Sequence, residues 1–151
     1  MNDTAPVIDV VNLSKAFGPK VVLSNVNLQV REGESLVVLG GSGTGKTVLL
    51  RNIMGLLEPD SGHVAIEGKI VHQLDREGLF EVRKAIGMCF QMAALFDSMT
   101  VFENVAFALR RHTGMTEAEI VDRVDECLSM VGMKGTQALK PAELSGGMKR
   151  R

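Results

Sequence analysis

The chain has no tryptophan and no tyrosine, and its six phenylalanines are the only aromatic side chains apart from histidine. Any aromatic platform must therefore be a Phe. Cysteine is scarce too. Cys89 and Cys127 are too far apart for a C-x-x-C pair, and His63, His72 and His112 show no ligand spacing. Nothing here supports a disulfide framework or a Cys/His metal site, and two buried free thiols are expected. No apolar run approaches the ~20 residues that cross a bilayer. Met1 to Pro6 shows neither a basic nor an apolar leader pattern, so a cytosolic protein is expected, or one held at a membrane only by a partner. A net charge of −1 gives no overall attraction to nucleic acid or anionic lipid. The basic Lys149-Arg150-Arg151 reads as a solvated helix face. What is present, 151 residues of which 45% are hydrophobic, suffices for the core of one domain.

One stretch organises the rest: Gly40-Gly41-Ser42-Gly43-Thr44-Gly45-Lys46-Thr47. An apolar run, Ser35 to Leu39, precedes it and reads as a short buried strand. Val48 to Met54 comes after it and reads as a helix. Strand, G-x-x-x-x-G-K-T, helix is the context of a phosphate-binding loop. Glycines allow the tight turn and bring successive N–H groups toward phosphate oxygens. A helix opening at Gly45 adds its free N–H groups and positive dipole end. Lys46 can reach the β- and γ-phosphates, and Thr47 can place a hydroxyl on Mg²⁺. The loop does not say which nucleotide it holds or what the energy drives.

Residues 7–16 and Val21 to Arg31 read as two strands forming an antiparallel layer. Phe17, at the turn between them, suits either adenine stacking or covering the layer's edge. His63 to Glu67 reads as a short strand with a turn after it at Gly68-Lys69. Asp75 caps a helix running to Lys84, and Ile86 to Phe90 reads as another buried strand. Gln91, where that strand ends, fits a sensor of Mg²⁺-bound oxygen or γ-phosphate, or simply a polar residue leaving a sheet. Met92 to Met99 is apolar without clear periodicity. It suits a partner-docking surface or a loop folded back on the core. Thr100 with Glu103, and Thr116 with Glu119, are capping boxes opening two amphipathic helices. Val101, Phe102, Val105, Ala106 and Leu109 line one; Ile120, Val121, Val124, Cys127, Leu128 and Val131 line the other.

Leu144-Ser145-Gly146-Gly147-Met148 comes last. With the phosphate loop and a strand-end Gln91, the chain resembles the nucleotide-binding domains of ATP-binding-cassette (ABC) proteins along essentially its whole length. Gly40–Thr47 matches the Walker A loop, Gln91 the Q-loop glutamine, L-S-G-G the signature and Phe17 the aromatic A-loop. A narrower resemblance is carried by Phe90 to Phe107, by Leu109 to Thr113 and by L-S-G-G-M. It points to the Mla-type ATPases, which energise phospholipid traffic between the membranes of Gram-negative bacteria. The resemblance implies an α/β P-loop fold with an antiparallel β subdomain and a helical subdomain. It implies ATP and Mg²⁺ as ligands, with Thr47 and Gln91 on the metal. Two domains would dimerise head to tail. Ser145, Gly146 and Gly147 of one copy would take the γ-phosphate of ATP on the other's loop. A membrane permease would contact residues around Met92–Met99, placing the protein on the cytoplasmic face of an inner membrane.

In such proteins the Walker B Asp and Glu and the switch His come after the signature, and no residue here can be nominated for them. The expectation is an N-terminal portion, with residues 1–91 carrying the β subdomain and phosphate-loop core and 92–151 the helical subdomain. It would lack the last part of the core, bind nucleotide weakly and turn none over. Alternative readings are an importer ATPase for amino acids or other small solutes, or a non-hydrolysing ATP-binding remnant. A DNA- or ribosome-directed ATPase fits less well, since residues 91–145 hold compact helices without sustained heptads.

Overall fold

The structure, a computed structural model, describes residues 5–90 and 93–151. Two compact units comprise Met1–Gly87 and Met88–Arg151.

In the first unit, Val10 and Leu13 of strand β1 (Ile8–Phe17) are both buried although three residues apart. Strict alternation would place them on opposite faces. A bulge at Asn12, φ 50°, inserts one extra residue and resets the phase. Asn27 Oδ1 accepts the Asn12 N–H at 2.8 Å, so the donor displaced from the ladder keeps a partner. β1 pairs antiparallel with β2 (Lys20–Val30) on one side and β3 (Ser61–Ile66) on the other. A short β4 (Lys69–Ile70) completes a sheet ordered β2-β1-β3-β4. The antiparallel layer is as expected from the sequence. β4 is an addition: the turn falls on Glu67-Gly68, both with positive φ, one residue earlier than Gly68-Lys69.

Helix α1 (Lys46–Ile53) leaves the glycine-rich loop, and α2 (Arg76–Lys84) opens on Asp75, whose Oδ1 accepts the Gly78 N–H at 2.8 Å. Val10, Leu13, Leu23, Val64 and Ile66 of the sheet, Leu49 of α1, Val82 of α2 and Val71 form the core. Arg83 of α2 donates to the carbonyls of Met54 (3.1 Å) and Gly55 (2.6 Å). It thereby neutralises the C-terminal end of α1, whose orphan carbonyls carry negative partial charge.

Two expectations are corrected. Ser35–Leu39 and Ile86–Phe90 are not strands, and neither run is buried: Val37 is 75% and Leu39 87% exposed. An extended segment becomes a strand only by sharing ladder hydrogen bonds, and among the described residues neither run has a pairing neighbour. The thiols depart as well: both are free, but Cys89 is exposed and Cys127 only partly covered.

The second unit is helical. α3 (Val101–His112) and α4 (Glu117–Met130) each open with the expected capping box, Thr100 with Glu103 and Thr116 with Glu119. Val101, Ala106, Ile120, Val124, Leu128, Met133 and Leu144 form its core. Val121, expected on the apolar stripe, is 43% exposed. It lies one residue, or 100° of helix, from Ile120 and so falls on the stripe's flank. The N–H groups of Val101 and Phe102 donate to the carbonyls of Leu139 (2.8 Å) and Gln137 (2.9 Å), tying the head of α3 to the loop before Leu144.

The seating of α1 and the two capping boxes can each be tested. Gly45 has φ +98°, and a Cβ there would lie 3.0 Å from the Val22 carbonyl oxygen of β2. Gly45→Ala should cost roughly 1–3 kcal/mol; a urea titration showing a loss of only a few tenths would contradict the seating of α1. Hydrogen bonds from Thr100 and Thr116 hold the Glu103 and Glu119 carboxyls below their ordinary range. Their contribution is therefore full above the ordinary glutamate pKa, about 4.3, and is lost as pH falls through the depressed folded values. The stability difference between the wild type and a Glu103→Gln/Glu119→Gln variant should shrink with acidification. A difference independent of pH would refute the assignment.

Candidate functional site

The loop from Gly40 to Thr47 runs into the head of α1. Lys46 folds back over it: Nζ donates to the carbonyls of Gly40 (2.7 Å) and Gly41 (2.6 Å) and lies 3.4 Å from Thr44 Oγ1. Thr44 Oγ1 itself donates to the Gly41 carbonyl at 3.0 Å. The ammonium thus draws the loop's carbonyl oxygens to itself. Among the described residues, the N–H groups of Gly43, Gly45, Lys46 and Thr47 have no hydrogen-bond acceptor. They combine with the positive end of the α1 dipole and the Lys46 charge. Ser42, Gly43, Thr44 and Thr47 are exposed, so the concavity is open to a ligand. These groups fit a polyphosphate: donors, one cation and a hydroxyl at Thr47, with no acidic side chain in the loop.

Gly45 is buried against Val22 and Leu23, near the start of β2. Phe17 ends β1 and pairs with Lys20 across the Gly18-Pro19 turn. The head of α1 and the Phe17 hairpin therefore share one short stretch of β2. Phe17 is 49% exposed, and the Lys15 ammonium lies over its ring, 5.8 Å from the centroid. Lys15 in turn pairs with Asp60 at 2.6 Å. Nothing in the sequence spacing singles out Lys15 or Asp60, because their pairing depends on the β1–β3 register. The one hint is Pro59-Asp60-Ser61-Gly62, which reads only as a turn.

Ser145, Gly146 and Gly147 lie in the second unit, all exposed and anchored by buried Leu144. Ser145 Oγ accepts the Met148 N–H at 3.2 Å, and its carbonyl accepts the Lys149 N–H at 3.0 Å. The chain then makes a single 3₁₀ turn, Met148–Arg150. Gln91 lies outside the described residues, as does Met92. Of the rest of that apolar segment, Leu95 and Met99 are half-buried, while Phe96 is exposed and meets the Phe107 ring at 5.1 Å. The Asn104 side chain braces it, accepting the Phe96 N–H (2.8 Å) and donating to the Thr100 carbonyl (2.9 Å). The segment thus folds onto α3 and leaves the Phe96 ring exposed. Among the described residues no helix is long and apolar enough to cross a membrane.

Comparison with known proteins agrees with this geometry. The ABC transporter family profile matches residues 23–151. The chain is 45% identical over 145 residues to the intermembrane phospholipid transport system ATP-binding protein MlaF of Haemophilus influenzae, covering 96% of this chain and 55% of that protein. It is 43% identical over 144 residues to the probable ribonucleotide transport ATP-binding protein mkl of Mycobacterium leprae, covering 95% and 42% respectively. The dimeric structure of the bacterial ABC transporter cassette MJ0796 superposes with a TM-score of 0.85 at 34% identity, over 94% of this chain and 65% of that one. The chain spans about half the length of the curated relatives it matches. Its cradle of free N–H groups, its sheet and helices and these matches agree: the chain belongs to the ABC transporter family, with the α/β P-loop fold of the family's nucleotide-binding domains.

Proposed function

We propose that the chain binds Mg²⁺-ATP on Gly40–Thr47 and belongs to the ATPase subunit of a transporter that moves phospholipid between membranes. The observation that carries the nucleotide reading is the cluster of N–H groups without acceptors at the head of α1, closed over by Lys46. The triphosphate would take these N–H groups, and one Lys46 donor would exchange a loop carbonyl for a phosphate oxygen. Thr47 would give its hydroxyl to Mg²⁺ and Phe17 its ring to adenine, with Gln91 meeting the metal and γ-phosphate. Bound ATP supplies the phosphoryl group whose transfer to water drives the cycle. This chain's residues bind it, orient it and present it to a second copy.

That copy would contribute Ser145, Gly146 and Gly147, whose exposure supports a role outside their own unit. A further partner would be a membrane permease meeting the residues around Met92–Met99 and Phe107. The protein would then sit on the cytoplasmic face of an inner membrane. Support for phospholipid comes from the MlaF similarity. A second reading, a small-solute importer, is favoured by the mkl relative, which is named for ribonucleotide transport and is nearly as similar. Residues 1–151 by themselves bind without turnover, because the resemblance places the Walker B carboxylates beyond the signature.

Calorimetry and a phosphate-release assay on the same preparation test this. The chain should bind Mg²⁺-ATP and release no phosphate, and Lys46→Ala should lower its affinity at least tenfold, since a charge-assisted contact to phosphate is worth about 1.5–3 kcal/mol. Unchanged affinity in Lys46→Ala would refute the loop assignment, and steady turnover by residues 1–151 would refute the inference about catalysis.

A further inference from the structure

We propose that Lys15 and Asp60 form a clamp that holds Phe17 as a one-sided platform for a purine base, making both of them positioning residues for nucleotide binding. This rests on the reading of Phe17 as the adenine platform. Three contacts converge on Asp60 from the residues just before Phe17. Lys15 Nζ donates to Oδ1 at 2.6 Å and the Ala16 N–H donates to Oδ2 at 2.6 Å. The Asp60 N–H donates to the Ser14 carbonyl at 2.9 Å. Asp60 lies at the end of the loop leaving α1, the helix whose other end carries the phosphate loop. One carboxylate therefore ties the strand that presents the ring to the element that presents the phosphate donors.

Phe17 needs such a tie. It is the last residue of its strand, beside a two-residue turn, and its ring is half-exposed. The clamp is better ordered than an ordinary surface ion pair, because only 15% of the Lys15 side chain is exposed, against 48% for Asp60. Bonds from Lys15 and then Ala16 also hold the Asp60 carboxyl below its ordinary range, which keeps it charged. The ammonium that Asp60 holds lies over one face of the ring, where it meets the negative pole of the quadrupole. That face is taken, so a base can stack only on the other. Positive charge behind the ring also weakens the negative potential on the free face, easing approach of the π face of a purine.

The test separates base from phosphate. Affinities for inorganic tripolyphosphate and for 2-aminopurine riboside triphosphate, whose fluorescence is quenched on stacking, are measured for the full chain and for Phe17→Ala, Lys15→Met and Asp60→Ala. Lys15→Met keeps the apolar stem of the side chain, so the test does not depend on Asp60→Ala folding. Both clamp variants should lower the nucleotide-to-tripolyphosphate affinity ratio on the order of fivefold, weaken the quench and leave tripolyphosphate affinity unchanged. If Phe17→Ala loses the base contribution while the clamp variants keep the wild-type ratio and quench, the clamp is overturned and the platform stands. If Phe17→Ala changes nothing, the platform reading falls and takes the clamp with it. Equal weakening of nucleotide and tripolyphosphate by the clamp variants would mark a merely structural role and also overturn the proposal.

Discussion

The close approach of Gly45 to β2 is the constraint on which the first unit depends. Only a residue without a side chain, and with a left-handed backbone, can bring the head of α1 to within van der Waals reach of the Val22 carbonyl. That seating aims the first free N–H groups of α1 outward and sets the phosphate loop beside the hairpin that ends in Phe17. The other end of α1 is held as firmly. Arg83 binds its terminal carbonyls, and the loop beyond carries Asp60 back to β1. A helix of eight residues is too short to persist on its own propensity. It is stable here because both ends and one face are engaged.

The second unit solves a different problem with the same physics. Its helices begin where Thr and Glu side chains satisfy the first orphan N–H groups reciprocally. At α3 the remaining early N–H groups go to the carbonyls of Leu139 and Gln137. The apolar segment braced by Asn104 runs into α3, and the Gln137–Leu139 loop runs into Leu144 and Ser145. Two exposed stretches, the Phe96 edge and the Ser145–Gly147 run, are therefore joined through α3 by main-chain hydrogen bonds.

What the sequence disclosed and what it hid divide along sequence distance. The phosphate loop, the caps at Asp75, Thr100 and Thr116, and the antiparallel pairing of β1 with β2 are local patterns, legible from a few adjacent residues. The Leu144-Ser145-Gly146-Gly147 run is local too, but it reads as a signature only through its order after the loop and Gln91. The bulge at Asn12, the β4 extension and the Lys15–Asp60 pair depend on register between strands far apart in the chain, which residue spacing does not encode. The two apolar runs at Ser35–Leu39 and Ile86–Phe90 show the converse. Their composition is that of inner strands, yet composition supplies no ladder partner, and among the described residues neither run has one.

The central claim is that the free N–H groups around Lys46 form an anion site tuned to a chain of phosphates. Amide ¹H–¹⁵N spectra recorded while inorganic tripolyphosphate is added test it most directly, because the probe has no base, no ribose and no metal requirement. The largest shifts are expected at Gly43, Gly45, Lys46 and Thr47, with those of the Ala16–Lys20 hairpin small by comparison. Shifts scattered over the basic surface residues, or none at the loop, would contradict the claim.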